Sequence, residues 1–408
     1  MMDLLISSSS LATCLLVGIL LAASCHGNQF DPHLYPKTGP FFEGWYLRII
    51  DDAQELSLGL LFGRVLPSDH ARATGSGDVS FNSYKSTSMS KSESLRPELT
   101  RQRQEPLVLA TVLLQSKAVG PKLQSFNGFF NVADFSVTVK GKPVVKNPDD
   151  ESPADFAVQF GNSGNNGSYI VSGNKTSVEV TVGNIRLVVK GSNPVPWGPH
   201  GEGPEGWLED LPLPLHWFVY SLRSHVSEYK FLDRHSGMAI VGKNARMHME
   251  KNWGESFPPG WIWAQGITTS NIALALSGGI VDFHITNVTA FLVGYRNPAK
   301  GIVFNFTPAN SVFSFKHNGC DGFVHLNITS LEHSLVLKVF SPLSSFSSCL
   351  FGPEKYGFRP VCVESYNAAA VVSAYQRNGL HYALIDHVEI RSAALEFGGL
   401  YVCKRLCP

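Results

Sequence analysis

Two carboxylates, an ammonium, an amide and three indoles fall within the fourteen residues from Glu250 to Trp263. The run reads Glu250-Lys251-Asn252-Trp253-Gly254-Glu255-Ser256-Phe257-Pro258, then Trp261-Ile262-Trp263. Three of the chain's seven tryptophans are here. Acids beside aromatic faces suit acid chemistry on an apolar substrate. A carboxyl kept neutral among rings is a positioned proton donor. Indole faces stabilise a developing carbocation by about 0.5–2 kcal/mol each when desolvated. The same residues also suit a structural turn. In that reading Glu250 and Lys251 pair, Asn252 forms the turn, Gly254 is a backbone necessity, and Trp261 and Trp263 fill a barrel.

Glu43 is a second acid among rings, in Phe41-Phe42-Glu43-Gly44-Trp45-Tyr46. In a strand, Phe41, Glu43 and Trp45 share one face and Phe42 and Tyr46 the other. Glu43 either ties the strand to Arg48 or to backbone amides, or lines a ligand cavity. His216 precedes Trp217 on an apolar run and is either a hydrogen-bonded core residue or a catalytic one. His248 and Glu250 alternate with Met247 and Met249 and so share a strand face. His-x-Glu alone falls short of the three or four ligands a metal site needs, and no metal or other cofactor is expected.

The elements that must carry these residues are strands. Short β-branched or aromatic runs at 46–50, 56–65, 107–114, 178–182 and 185–189 are separated by Gly, Asn, Asp and Pro, and the pattern continues from 217 to 375. Thirty-seven glycines, 24 prolines and the absence of long 3.6-residue periodicity disfavour helix. The fold class expected is all-β, mostly antiparallel, in barrels or sandwiches. About 380 residues after the leader suggest two domains. Residues 28–195 form the first, with a polar Ser-rich insertion at 69–104. Residues 196–214, dense in Pro and Gly, form a linker whose Trp197 and Trp207 are expected to anchor in the domain interface. Residues 215–408 form the second.

Residues 1–25 read as a secretory signal: an apolar run at 11–23, then small residues and a polar break. The run is shorter than the about 20 residues of a membrane span, and no later stretch reaches that length. Asn-x-Ser/Thr sequons at Asn166, Asn174, Asn287, Asn305 and Asn327 point the same way. So do Cys320, Cys349, Cys362, Cys403 and Cys407, all in the last quarter, which read as local disulfide staples with one cysteine left over. Two bridges among five cysteines allow fifteen pairings, and the spacing selects none. The expected location is secreted or lumenal, with N-glycosylation. Formal charge is zero with Lys and Arg scattered, which argues against a nucleic-acid partner. With 44% hydrophobic and 16% charged residues, the chain can bury a large core and still line a cavity with apolar groups.

The Phe-Glu-Gly-Trp-Tyr run, His216-Trp217, and Glu-Lys-Asn-Trp-Gly with Phe257-Pro258 and Trp261-Ile262-Trp263 together resemble the tocopherol cyclase family. So do Gly357-Phe358-Arg359-Pro360 leading to Glu364-Ser365-Tyr366, and Ala393-Ala394-Leu395-Glu396-Phe397-Gly398-Gly399. These landmarks keep the family's order from Phe41 to Gly399. The resemblance implies two lipocalin-like β-barrel halves around an apolar site, with carotenoid hydratases and pericyclase-type cyclases among the relatives. It also implies protonation of an alkene in a prenyl tail and capture of the cation by a phenol oxygen. Glu250 or Glu43 would then be the acid. Trp45, Tyr46, Trp217, Trp253, Trp261 and Trp263 would line the site, and His216 or Asn252 would orient the phenol. The substrate class would be a small isoprenoid or prenylquinol-like molecule. The secretory features depart from the plastid enzymes, so the substrate need not be a tocopherol precursor. A carrier of the same fold without turnover, a hydratase of isoprenoid alkenes and a structural glycoprotein are the alternatives.

Overall fold

The computed structural model describes residues 39–67, 107–139, 141–143, 155–161, 166–199, 201–282 and 287–408. The signal at 1–25 and the insertion at 69–104 lie outside the described residues. The β-rich reading holds. Among the described residues the strands form two antiparallel sheets, one of thirteen strands and one of ten. Helical pieces are short 3-10 turns of three to five residues. No described helix is long and apolar enough to cross a membrane.

Each sheet curls around its own apolar core, because alternate side chains of every long strand point to one face. In the first sheet that face carries Trp45, Leu47, Ile49, Leu58, Phe62 and Met247. In the second it carries Ile262, Leu274, Val293, Leu326 and Leu395. The opposite faces of the central strands meet in a third core, with Tyr46, Trp197, Trp217, Trp261, Trp263 and Tyr366. Large rings remove about 150–250 Å² each from water, so this seam holds the two sheets together by its own apolar content.

The strands that make the seam come from distant parts of the chain. Strand Phe41–Asp51 pairs on one side with Leu56–Leu66 and on the other with Ala245–Gly254. Ala245–Gly254 in turn pairs with Leu215–Asp233. In the second sheet, Gly260–Ile267 pairs with His381–Gly399, which pairs with Gly357–Asn378. The chain therefore changes sheet between Gly254 and Gly260, not at the Pro/Gly stretch near residue 200. Strands Leu215–Asp233, Met238–Gly242 and Ala245–Gly254 all belong to the first sheet, because their ladder partners are there.

Of the two tryptophans in that stretch, one anchors. Trp197 is buried in the seam, its carbonyl accepts from Arg296 Nη2 at 2.7 Å, and the Arg296 guanidinium lies 5.3 Å from its ring. Trp207 is 58% exposed and anchors nothing in the interface. Disulfides Cys320–Cys403 and Cys349–Cys407 staple the C-terminal tail to the second sheet. Cys362 is the leftover thiol, buried in the seam.

Candidate functional site

Glu250 and Lys251 are neighbours in a strand and so face opposite ways. They do not pair with each other. Lys251 points into the first sheet's core, where its Nζ meets Glu43 Oε1 at 2.6 Å. Arg64 Nη2 reaches the other oxygen, Glu43 Oε2, at 3.3 Å. Glu43 does not reach Arg48, because positions 43 and 48 lie on opposite faces of their strand. Rings surround the Glu43–Lys251 pair. Trp253 and Trp45 lie 4.9 and 5.3 Å from Lys251 Nζ. Trp45 stacks on Phe62 and donates to Tyr220 Oη at 3.1 Å. His216 belongs to this compartment too: it stacks on Trp253 at 5.0 Å, and its Nδ1 lies 2.8 Å from Glu205 Oε2. The same carboxylate accepts from the Trp217 backbone N–H at 2.7 Å. Nearby Glu209 is pushed up to about 9 by burial and by the Glu205 charge.

The seam holds the other set. Glu250 Oε2 accepts from Trp263 Nε1 at 3.0 Å and lies 2.8 Å from His248 Nε2. Tyr46 packs edge-on to Trp263 with centroids 5.1 Å apart. Its hydroxyl lies 2.8 Å from Glu364 Oε1 and 2.9 Å from the Tyr366 hydroxyl. Trp217 also faces the seam, opposite Asn252, which alternation places on the Glu250 face.

Two acids absent from the sequence-based candidate set complete this group. Glu364 and Glu396 are direct cross-strand partners, and Glu396 is also the partner of Trp263 on the other side. Trp261 Nε1 donates to Glu396 Oε1. Burial holds the Glu364 carboxyl well above the usual range, and the Glu396 charge adds to the effect. Glu396 rises to about 7, through burial and then the Glu250 charge. Burial and the Glu364 charge likewise keep the Tyr46 and Tyr366 phenols protonated. The seam thus holds proton donors at neutral pH, walled by indoles. Both acids sit in apolar strand runs, as Glu43 does, and that was the available signal. The pairing that brings them to Tyr46 spans more than three hundred residues and has no local trace.

Two glycines make room for this arrangement. A Cβ on Gly398 would fall 1.8 Å from the Trp261 indole, so the ring lies flat on bare backbone. A Cβ on Gly59 would fall 2.0 Å from the Tyr366 hydroxyl. Tyr366 also lines an open cleft of about 690 Å³ between the sheets, together with Ser57, Gln115, Thr268 and Ser392. That volume lies in the range of small-molecule sites, about 300–1,000 Å³. Tyr366 thus belongs both to the wall of the cleft and, through its hydroxyl, to the group of Tyr46 and Glu364.

The two sets of expected site residues stand on opposite sides of the first sheet. Glu43, Trp45, His216 and Trp253 lie in the first sheet's core. Tyr46, Trp217, Glu250, Asn252, Trp261 and Trp263 lie on the seam side. Among the described residues no cluster of His, Cys, Asp and Glu is arranged to hold a metal ion.

The family model described as tocopherol cyclase-like matches residues 197–399. That span carries both acid-bearing strands of the second sheet, as well as His216, Glu250 and the indoles at 253, 261 and 263. No curated protein matches the chain. Two crystal structures align over most of it. One is a protein assigned as AttH from Nitrosomonas europaea, 14% identical, covering 92% of this chain and 96% of that one, with a TM-score of 0.47. The other is kievitone hydratase from Nectria haematococca, 8% identical, covering 92% and 95%, with a TM-score of 0.41.

Proposed function

From the match of residues 197–399 to the tocopherol cyclase-like family model, we propose that this chain is an enzyme delivering a proton to an apolar alkene at the seam between its sheets. The observation that carries the reading is the cross-strand pair Glu364 and Glu396, held above the carboxylate range beside the Tyr46 and Tyr366 hydroxyls, with Tyr366 on the wall of an open cleft.

In this reading Glu364 is the acid. Its proton passes through the Tyr46 and Tyr366 hydroxyls to an alkene carbon of a prenylated or polyene substrate. The tertiary cation so formed is captured by an oxygen of the same molecule, and the proton released from that oxygen returns to the Glu364–Glu396 pair. Atoms balance, and the product has the mass of the substrate. Trp261 and Trp263 face the cation, and Glu250, oriented by His248, offsets its charge. Folding the tail against the oxygen removes an entropic barrier. Glu43, with both oxygens engaged by Lys251 and Arg64, serves as a structural ion pair. His216, Trp45 and Trp253 frame that pair, while Trp217 and Asn252 back the seam. The two disulfides support an oxidising compartment, and the signal and sequons support passage through the secretory route.

The test is incubation of the purified full chain with prenylated quinols, followed by separation of products by retention and mass. The expected product is mass-neutral. Glu364→Gln should lower turnover about 10²–10⁴-fold, the usual weight of a positioned acid. Full turnover in that variant removes the assignment. A ligand that co-purifies unchanged, with no conversion, makes the chain a carrier. A product heavier by one water makes it a hydratase.

A further inference from the structure

Two hairpin apexes of the second sheet carry leucines that the fold does not use. Leu331 lies in the turn between Phe323–Ser330 and His333–Phe340, and Leu380 in the turn between Gly357–Asn378 and His381–Gly399. They are 72% and 88% exposed. Tight turns favour Gly, Asn, Asp and Ser at such positions, so leucine there serves neither the turn nor a core. The two turns are held together as one tip. The Tyr382 hydroxyl donates to the Ser330 carbonyl at 2.7 Å, and the Arg377 backbone N–H to the Glu332 carbonyl at 2.7 Å. The Arg377 guanidinium spans both apexes, with Nη1 donating to the Leu331 carbonyl at 3.3 Å and Nε to the Gly379 carbonyl at 2.9 Å. One side chain on both carbonyls sets the two apexes beside each other. Leu384, further along His381–Gly399, adds a third leucine, 55% exposed.

Three observations bear on what meets this tip. The two longest stretches outside the described residues, 1–38 and 68–106, join the first sheet at Phe41, Leu66 and Leu107, cross-strand neighbours at one end of its ladder. That end is away from the tip. The cleft is lined by the opposite ends of the same strands, at Asp51, Leu56 and Ser116, and His381–Gly399 passes the cleft at residues 389–392 on its way from the tip. The exposed charges on the two turns, Arg377 and Glu332, are of opposite sign, so no net field selects an acidic or a basic partner. Three leucines on turns also offer far less than the about 800 Å² per partner of a stable protein interface. They do suit shallow insertion at the boundary of headgroups and acyl chains, which has no fixed shape to match.

We infer that the Leu331–Leu380 tip docks the protein on a lipid bilayer surface of zwitterionic headgroups. The leucines enter the apolar boundary, and the ties from Arg377 and Tyr382 keep both turns rigid as they do so. Docking this way turns the cleft end of the seam, and not the end at Phe41, toward the bilayer. Apolar alkenes dissolve in bilayers, so the inference gives the seam reading a source of ligand. It does not depend on turnover.

The experiment is flotation of the full chain on a density gradient with phosphatidylcholine vesicles. The wild type should float with the vesicles, equally at about 0.1 M and about 1 M salt, since the contact carries no net charge. Leu331→Ser combined with Leu380→Ser should lower the affinity for vesicles about tenfold or more and leave the melting temperature unchanged. In Leu380→Trp, brominated phosphatidylcholine should quench the emission that the added indole contributes. Absence of flotation overturns the inference, as does flotation that survives the double substitution or an indole at 380 that brominated lipid leaves unquenched. Self-association in free solution that the double substitution abolishes would also overturn it, making the tip a contact between copies. Because flotation needs no turnover, a docked but inactive protein would sink the enzyme reading and leave this one standing. An active protein that ignores vesicles would do the reverse.

Discussion

Glu364 and Glu396 stand directly opposite each other on adjacent strands, facing the same indoles. Like charges in that position repel, and burial makes the repulsion worse, so the pair binds a proton that two exposed glutamates would release. The Glu396 carboxyl, ordinarily at 4.5, is raised to about 7. A raised acid means the folded chain holds more protons than the unfolded one in this window. Stability is then greatest below about 4.5 and declines as pH rises towards 7. Discounted for the partial exposure of Glu396, the decline is on the order of 2 kcal/mol. Denaturant midpoints across this range should fall, and Glu396→Gln should flatten the slope. A wild-type midpoint that stays level would show that the pair does not share a proton in this way.

Gly59 leaves space for the Tyr366 hydroxyl. Gly59→Ala should push that hydroxyl off Tyr46, at a cost of about 1–3 kcal/mol for overpacking, and break the route from the cleft to Glu364. Adding Tyr366→Phe should recover much of the stability and none of the turnover. Melting curves and product assays on the single and double variants test both halves.

The Glu43–Lys251 pair lies in an apolar core with both side chains fully buried. Removing one partner strands a charge, so Glu43→Gln or Lys251→Met should each cost about 3–5 kcal/mol. Replacing both should cost less than the two losses added, with Arg64 still losing its Glu43 oxygen. A double-variant cycle by urea unfolding measures the difference. Simple additivity of the two losses would show that the pair is not coupled.

The disulfides close spans of 83 and 58 residues. Loop-closure entropy assigns about 4 kcal/mol to each. Changing both members of either pair to Ser should lower stability by that order, with unfolding beginning in the second sheet by hydrogen exchange. Cys362 is different in kind: it is buried, and burial holds its thiol well above the usual value, with the Glu396 charge adding to this. It should ignore thiol reagents in the native protein and react once the chain unfolds. Rapid labelling of the native state would mean that the seam opens.

The strands were legible because their apolar residues alternate, and the faces of individual residues followed. Phe41, Glu43 and Trp45 on one side of their strand, with Tyr46 on the other, needed only the two-residue repeat. Trp261 and Trp263 shared a face for the same reason. The repeat does not say which compartment a face looks into. Glu43 and Glu250 fell on opposite sides of one sheet because the register sets Glu43 against Trp253 and Tyr46 against Glu250. Sheet membership was illegible as well. The Pro/Gly stretch marked a change in composition, but the hydrogen bonds of Leu215–Asp233 keep it in the first sheet. Glu364 and Glu396 entered the sequence reading only as members of two landmark runs, without a role of their own. Their weight comes from facing one another, which only the ladder creates.

Strand Ala245–Gly254 is a dividing wall with a tenant on each side. Even-numbered residues from His248 to Asn252 serve the seam, and odd-numbered residues from Met247 to Trp253 serve the interior. Selection can therefore rewrite one room while leaving the other furnished as it was. Substitutions at even positions retune the ligand, and those at odd positions retune the frame. A single-residue insertion or deletion in this strand has no such freedom. It would carry Lys251 into the seam and Glu250 into the greasy interior, exchanging both rooms' contents at once.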